Sequence, residues 1–236
     1  MKKTILLILL LPLMTASAQK SIVIMNGTAH IGNDSVIQNS MIGIRDGKIT
    51  EVIDLDKNLV EPSNYELRID AKGKQVYPGL ISPNSTLGLT EIESVRATND
   101  FREVGSTLPN VRSLIAYNTD SKIIPTVRTN GVFLAQITPR GGIVSGTSSV
   151  VILDGWNWED AAYRIDDGIH INWPRLQSRK FTEDEATGNV VEKNKFYTQQ
   201  TEDLKKLFAE AKGYSETENI SEKNLRFEGM RGLFKG

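Results

Sequence analysis

The segment Val76-Tyr77-Pro78-Gly79-Leu80-Ile81-Ser82-Pro83-Asn84-Ser85-Thr86-Leu87-Gly88-Leu89 constrains this chain more than any other. An apolar run fit to be a buried strand meets Pro-Gly, resumes as Leu80-Ile81 and gives way to small polar residues. That is the pattern of a core strand carrying side chains to a mouth. Reactive groups are commonly mounted at such strand ends. The small polar residues after Leu80-Ile81 are therefore where site residues are expected, with Leu80 and Ile81 themselves buried as an inner wall.

Ahead of this segment the chain reads as short strands. Ile22-Val23-Ile24 ends at Asn26-Gly27, and Met41 to Arg45 passes through Asp46-Gly47 into Lys48 to Ile53. Asp-Gly between two apolar runs is a strong hairpin signal, because a type I′ turn needs positive φ at both central residues. Tyr65 to Ile69 and Gln75 to Tyr77 add strands on either side of the turn Asp70 to Gly73. A small β-sandwich or sheet over residues 19–75 is expected, followed by a different unit over 76–236.

In the second unit, Glu91 to Ser106 is polar without a period and suits a long loop over a strand end. Pro109 to Tyr117 reads as a short helix with proline near its first position. Ile123 to Arg128 reads as a second, shortened by Pro125 and leaving through Asn130-Gly131. Val132 to Thr138 is a strand stopped by Pro139. Gly141 to Ser149 is glycine-rich, yet it lacks the Gly-Lys-Ser/Thr ending of a phosphate loop and leads into the strand Val150 to Leu153. A plain loop or hairpin is expected there.

Asp166-Asp167-Gly168 reads as a turn entering the strand Ile169 to Trp173. Residues 175–195 are charged and poor in apolar clusters, as in an exposed insertion. Two helices follow. One runs from a Thr201 cap with Leu204, Leu207, Phe208 and Ala211 on one face; the other covers 222–234 with Leu225, Met230, Leu233 and Phe234 inward.

Lys2-Lys3, the apolar run Ile5 to Met14 and Ala16-Ser17-Ala18 have the form of a secretory signal peptide over residues 1–18. The run is too short for a membrane anchor, which needs about 20 apolar residues. A secreted or periplasmic protein with no membrane contact after cleavage is expected. The net charge of −1 gives no electrostatic case for nucleic acid. The absence of cysteine excludes a thiolate nucleophile and a cysteine-ligated metal.

The quoted residues also carry a resemblance. Asn26-Gly27-Thr28, Arg45 to Ile49, Asp70 to Lys74 and Pro78-Gly79-Leu80-Ile81 resemble, in that order, the opening of the amidohydrolase superfamily. The stretch from Gly141 through Leu153-Asp154-Gly155-Trp156 and Trp158-Glu159-Asp160 is similar to its secreted imidazolonepropionase-like subgroup.

The resemblance implies an α/β chain: a small β-sandwich, then the first part of an incomplete metal-dependent-hydrolase-type (β/α) TIM barrel. Such a barrel takes about 250 residues, so the remaining strands are expected beyond Gly236. It also implies a divalent metal, zinc, that activates water for hydrolysis of a small-molecule amide. Here Ser82 stands at the family's Asp position, and Asn84 and Thr86 stand at the positions of its metal-binding histidines. Neutral oxygens are poor zinc ligands. The histidines are His30 and His170, each more typical of packing than of ligation.

Three functions stay open. One is a hydrolase of C–N bonds in small or cyclic amides, of which this chain is an N-terminal part, inactive alone. Another is a catalytically inactive homologue serving as a binding or scaffold subunit, paired with an active relative or with itself. The last is a periplasmic carbohydrate- or peptide-binding module built on Trp156 and Trp173. Asn84, Thr86, Trp156, Trp173 and His170 are the candidate pocket residues.

Overall fold

The computed structural model describes residues 21–180 and 190–235, so the expected signal peptide over 1–18 lies outside the described residues. The chain divides into two compact units, one on each side of the Pro78–Gly79 bond.

The first unit is built from β1 (Ile22–His30), β2 (Val36–Arg45), β3 (Lys48–Asp54), β4 (Leu67–Asp70) and β5 (Gln75–Val76). They form a single five-stranded sheet of order β3-β2-β1-β4, with β5 also on β1. Of the expected sandwich or sheet, the described residues form a single sheet. The long β1 accounts for this, because its two halves take β4 and then β5 as parallel neighbours. Val23, Met41 and Tyr65 are its buried apolar centre.

β2 and β3 form the expected hairpin, with Arg45 opposite Lys48. Asp46 and Gly47 have φ of 55° and 71°, as a type I′ turn requires. A Cβ on Gly47 would meet nothing within 4 Å. Gly47→Ala therefore loses only the backbone's freedom at positive φ, and we expect about 1 kcal/mol of destabilisation, read as a lower urea midpoint at unchanged slope.

The second unit carries β6 (Leu80–Ser85), α1 (Ile123–Thr129), β7 (Val132–Ile137), β8 (Val144–Ile152), α2 (Trp158–Ala161) and β9 (Ala162–Ile171). The hairpin strands β10 (Gln177–Lys180) and β11 (Val190–Lys193) follow, then α3 (Tyr197–Ser215) and α4 (Leu225–Met230). The main sheet has the order β6-β7-β8-β9. β6 and β7 are parallel, as a strand–helix–strand unit demands, whereas β8 and β9 return antiparallel.

One face of this sheet is the core. Ala135 and Ile137 of β7 and Val151 of β8 pack with Leu114, Tyr117, Ile124 and Leu153, and Trp158 lies against them. Pro125 sits in the first turn of α1, where no helical partner is needed for its missing N–H. Ser113 and Leu114, in a 3-10 turn over 113–116, reach the same core, and Ser113 Oγ donates to the Ile137 carbonyl at 2.8 Å.

Several expectations are corrected. Leu80 and Ile81 form no inner wall: they are 58% and 60% exposed, because β6 is an edge strand with β7 as its one neighbour in the described sheet. Val144 to Ser149 belongs to β8 and is buried, so the glycine-rich stretch is mostly strand rather than loop. Its small side chains suit a strand covered on both faces.

Asp166-Asp167-Gly168 is no turn but an irregularity inside β9, where the register with β8 shifts and Asp166 has φ of 52°. An Asp tolerates that conformation and so marks a bulge as readily as a turn. Thr201 is not a cap; it lies within α3, buried with Leu204 and Ala211, and its hydroxyl donates to the Tyr197 carbonyl at 2.5 Å. α4 starts at an Asn224 cap and buries Met230, while Leu225 and Leu233 stay exposed. Part of the charged stretch 175–195 pairs as the β10–β11 hairpin.

Candidate functional site

The strand period places Gln136 of β7 on the face opposite Ala135 and Ile137, and Ser148 of β8 opposite Thr147 and Ser149. On β9, Gly168 pairs with Ser148 and His170 with Gly146; Asp167, which a regular strand would turn away from His170, reaches the same serine beside the irregularity at Asp166. Asn84 arrives from β6. The register with β7 shifts between Ser82 and Ser85, and Asn84 sits in that irregularity with φ of 51°. Asn is one of the few residues that hold such a φ at little cost.

The result is a continuous polar network across four strands. His170 Nε2 lies 2.8 Å from Ser148 Oγ, which in turn donates to Asp167 Oδ1 at 2.6 Å. Gln136 Nε2 donates to Asp167 Oδ2 at 2.8 Å, and the Asn84 backbone N–H donates to Gln136 Oε1 at 3.1 Å. A carboxylate only accepts, so the Ser148 proton goes to Asp167 and the serine oxygen accepts from a proton on His170 Nε2. Burial pushes the His170 imidazole below its ordinary value; Asp167 opposes that shift and Arg140 adds to it.

Ser148, His170 and Asp167 are a familiar trio, but their connectivity is not that of an activated nucleophile. In an acyl-transfer triad the carboxylate holds the far nitrogen of the imidazole. Here it holds the serine itself, and Ser148 is fully buried. The hydroxyl bridges two other groups rather than facing a substrate.

Arg140, just past the Thr138-Pro139 end of β7, completes the cluster. Its Nη1 donates to Asn84 Oδ1 at 2.9 Å and its Nη2 to the Asn84 carbonyl at 2.6 Å, while its backbone N–H is fixed to the Phe101 carbonyl.

The remaining sequence candidates lie elsewhere. Ser82 pairs with Ala135 and so falls on the core side of β6, and Thr86 is half-buried just beyond the strand. Trp156 is 87% exposed and Trp173 58% exposed. Among the described residues the ring contacts are His30 with Tyr77 and Tyr214 with Phe227, so the tryptophans make no stacked platform. His30 belongs to the first unit, bonded to Gln75 Oε1 at 2.7 Å. Of the candidates, then, Asn84 and His170 are joined in one network.

Gln136, Arg140, Ser148 and Asp167 escaped sequence reasoning. Strict alternation after Ala135 would have put Gln136 on the face away from the core, the one available signal.

The zinc implied by the resemblance needs imidazole or carboxylate ligands. Among the described residues no group of three His, Asp or Glu side chains could hold a metal. The one metal-capable atom of the Asn84 side chain is already an acceptor from a guanidinium. The described residues on this face do not fit a zinc centre.

No protein-family model and no curated protein sequence matches the chain. Among solved structures, an amidohydrolase from Thermotoga maritima MSB8 superimposes over 88% of this chain with a TM-score of 0.67 and 19% identity. Molinate hydrolase is 33% identical over 30% of this chain and 15% of its own, with a TM-score of 0.25, too short an overlap to argue from. The fold of the described residues is similar to that of this amidohydrolase chain. This chain spans about half of the Thermotoga protein, 54% of its length.

Proposed function

We propose that the chain is the first part of an amidohydrolase-type hydrolase acting on C–N bonds in small or cyclic amides, inactive by itself. In this reading β6 and β7 are the opening strands of a (β/α) barrel, and the face bearing Asn84, Gln136 and His170 looks toward the substrate. Removal of residues 1–18 would deliver the protein to the periplasm or the medium. The observation that carries the reading is the fold likeness, which extends over both units and puts Asn84 at the end of a parallel strand.

A second reading, a non-catalytic homologue that binds a ligand or pairs with an active relative or itself, is favoured by one contact. Arg140 places a permanent cation where the family resemblance implies a metal. A glycan- or peptide-binding module has less support, given how the tryptophans are placed.

The test is hydrolysis of a panel of cyclic and linear amides by the protein carrying this chain, with its metal content measured on the same sample. Release of amine or carboxylate supports the hydrolase. Loss of every amide activity alongside retained ligand binding supports the homologue.

A further inference from the structure

Leu225 and Leu233, two of the residues expected to face inward, line a cavity rather than a core. Its volume of about 590 Å³ falls within the roughly 300 to 1,000 Å³ of small-molecule sites. Thr147 of β8 and Ile169 of β9 form its floor, a cross-strand pair on the sheet face opposite Ser148. The far wall is α4 with the 3-10 turn that follows it. A Cβ on Gly229 would lie 2.7 Å from the Pro109 carbonyl oxygen, so this glycine lets the helix touch the segment beside β8. At Gly232 a Cβ would meet nothing within 4 Å, and there the wall stands off.

The lining carries both signs of charge. On the β9 side, Arg112 Nε donates to Asp166 Oδ1 at 2.8 Å, whereas Arg164 has no ion-pair partner among the described residues. On the α4 side, Glu228 Oε1 accepts from the Tyr214 hydroxyl at 2.8 Å and from Arg231 Nη1 at 3.4 Å, which leaves Oε2 open. Asp167 is closed, because Ser148 and Gln136 already occupy its two oxygens. A purely anionic ligand would be repelled by Glu228 and a purely cationic one by Arg164. A ligand bearing both charges meets neither penalty.

We infer that this cavity binds an apolar α-amino acid in its zwitterionic form, with the carboxylate on Arg164, the ammonium on Glu228 and the side chain between Leu225 and Leu233. A guanidinium fork matches a planar carboxylate, and Arg164 has its whole fork to offer. The cavity lies behind the sheet from Ser148 and His170. It is therefore separate from the face proposed for the amide substrate, and the inference does not rest on that proposal.

Equilibrium dialysis of the full chain against radiolabelled leucine at neutral pH reads binding alone. Saturable uptake of one leucine per chain is expected. Displacement by 4-methylpentanoate, which lacks the ammonium, and by 3-methylbutylamine, which lacks the carboxylate, should each be at least about tenfold weaker than displacement by unlabelled leucine. Arg164 has no ion pair to lose and the space at Gly232 is open, so Arg164→Gln and Gly232→Leu should both keep the parent melting curve. Each should weaken leucine uptake by about tenfold or more, the first by removing the carboxylate partner and the second by filling the cavity.

No saturable uptake of leucine by the folded chain overturns the site. Equal displacement by all three compounds overturns the zwitterionic ligand. Uptake that survives both substitutions in folded protein places the leucine elsewhere and overturns the cavity as its receptor.

Discussion

Ser148→Ala is expected to destabilise the 79–235 unit by about 2 to 4 kcal/mol, a large effect for the loss of one oxygen atom. A buried serine whose hydroxyl had no partner would tolerate the same change with little effect. Ser148 differs because its oxygen joins His170 Nε2 to Asp167 Oδ1. Removing it strands a donor and a charged acceptor together, each with its own desolvation cost. Urea unfolding at pH 8 measures the difference, and a loss below about 0.5 kcal/mol would mean that the network is ornamental.

The same network has a pH signature. His170 is held below its ordinary value of 6.5, chiefly by burial. In the unfolded chain the imidazole therefore takes up a proton at a higher pH than in the folded one. Stability from this group is complete above pH 6.5 and is lost as pH falls toward the folded value. His170→Gln should flatten the stability profile between pH 7.5 and 5.5. Asp54, Asp70 and Glu228 titrate below their ordinary carboxylate values and so leave that window undisturbed.

What could be read from the residues, and what could not, divides by the range of the interaction. The β2–β3 hairpin, the short helix before β7 and the strand stopped by Pro139 each depend on neighbours a few positions away. Asp46-Gly47, Asn130-Gly131 and Pro139 announce them. The site depends on pairings across the sheet. Asn84 meets Arg140, and Gln136 meets Asp167, only once β6 to β9 are in register.

The misreadings have the same origin. Gly141 to Ser149 and Asp166 to Gly168 look like turns because small and acidic residues accept positive φ. The sheet uses that tolerance for bulges in β8 and β9 instead. Leu80 and Ile81 have the composition of a buried strand, and they do open β6. Their exposure follows from β6 standing at the sheet edge.

Gly146→Ala is expected to cost about 3 kcal/mol or more, several times the penalty at Gly47 for the same added methyl group. Both glycines have positive φ, but 71° at Gly47 borders the left-handed region that alanine can enter, whereas 132° at Gly146 lies well outside it. Their surroundings widen the difference. A Cβ on Gly146 would lie 2.5 Å from the Val111 carbonyl oxygen, which already accepts the Thr147 N–H at 2.7 Å. That carbonyl is backbone and cannot swing aside as a side chain would. The methyl group must therefore push residues 107–112 away from β8, breaking the Arg112–Thr147 bridge and dislodging Ser113 and Leu114 from the core. For a unit of this size each kcal/mol lowers the melting point by about 2 to 4 °C, so a drop of roughly 6 to 12 °C is expected. Matching melting curves for Gly146→Ala and Gly47→Ala would show that the close approach of Val111 to β8 does not hold this sheet together.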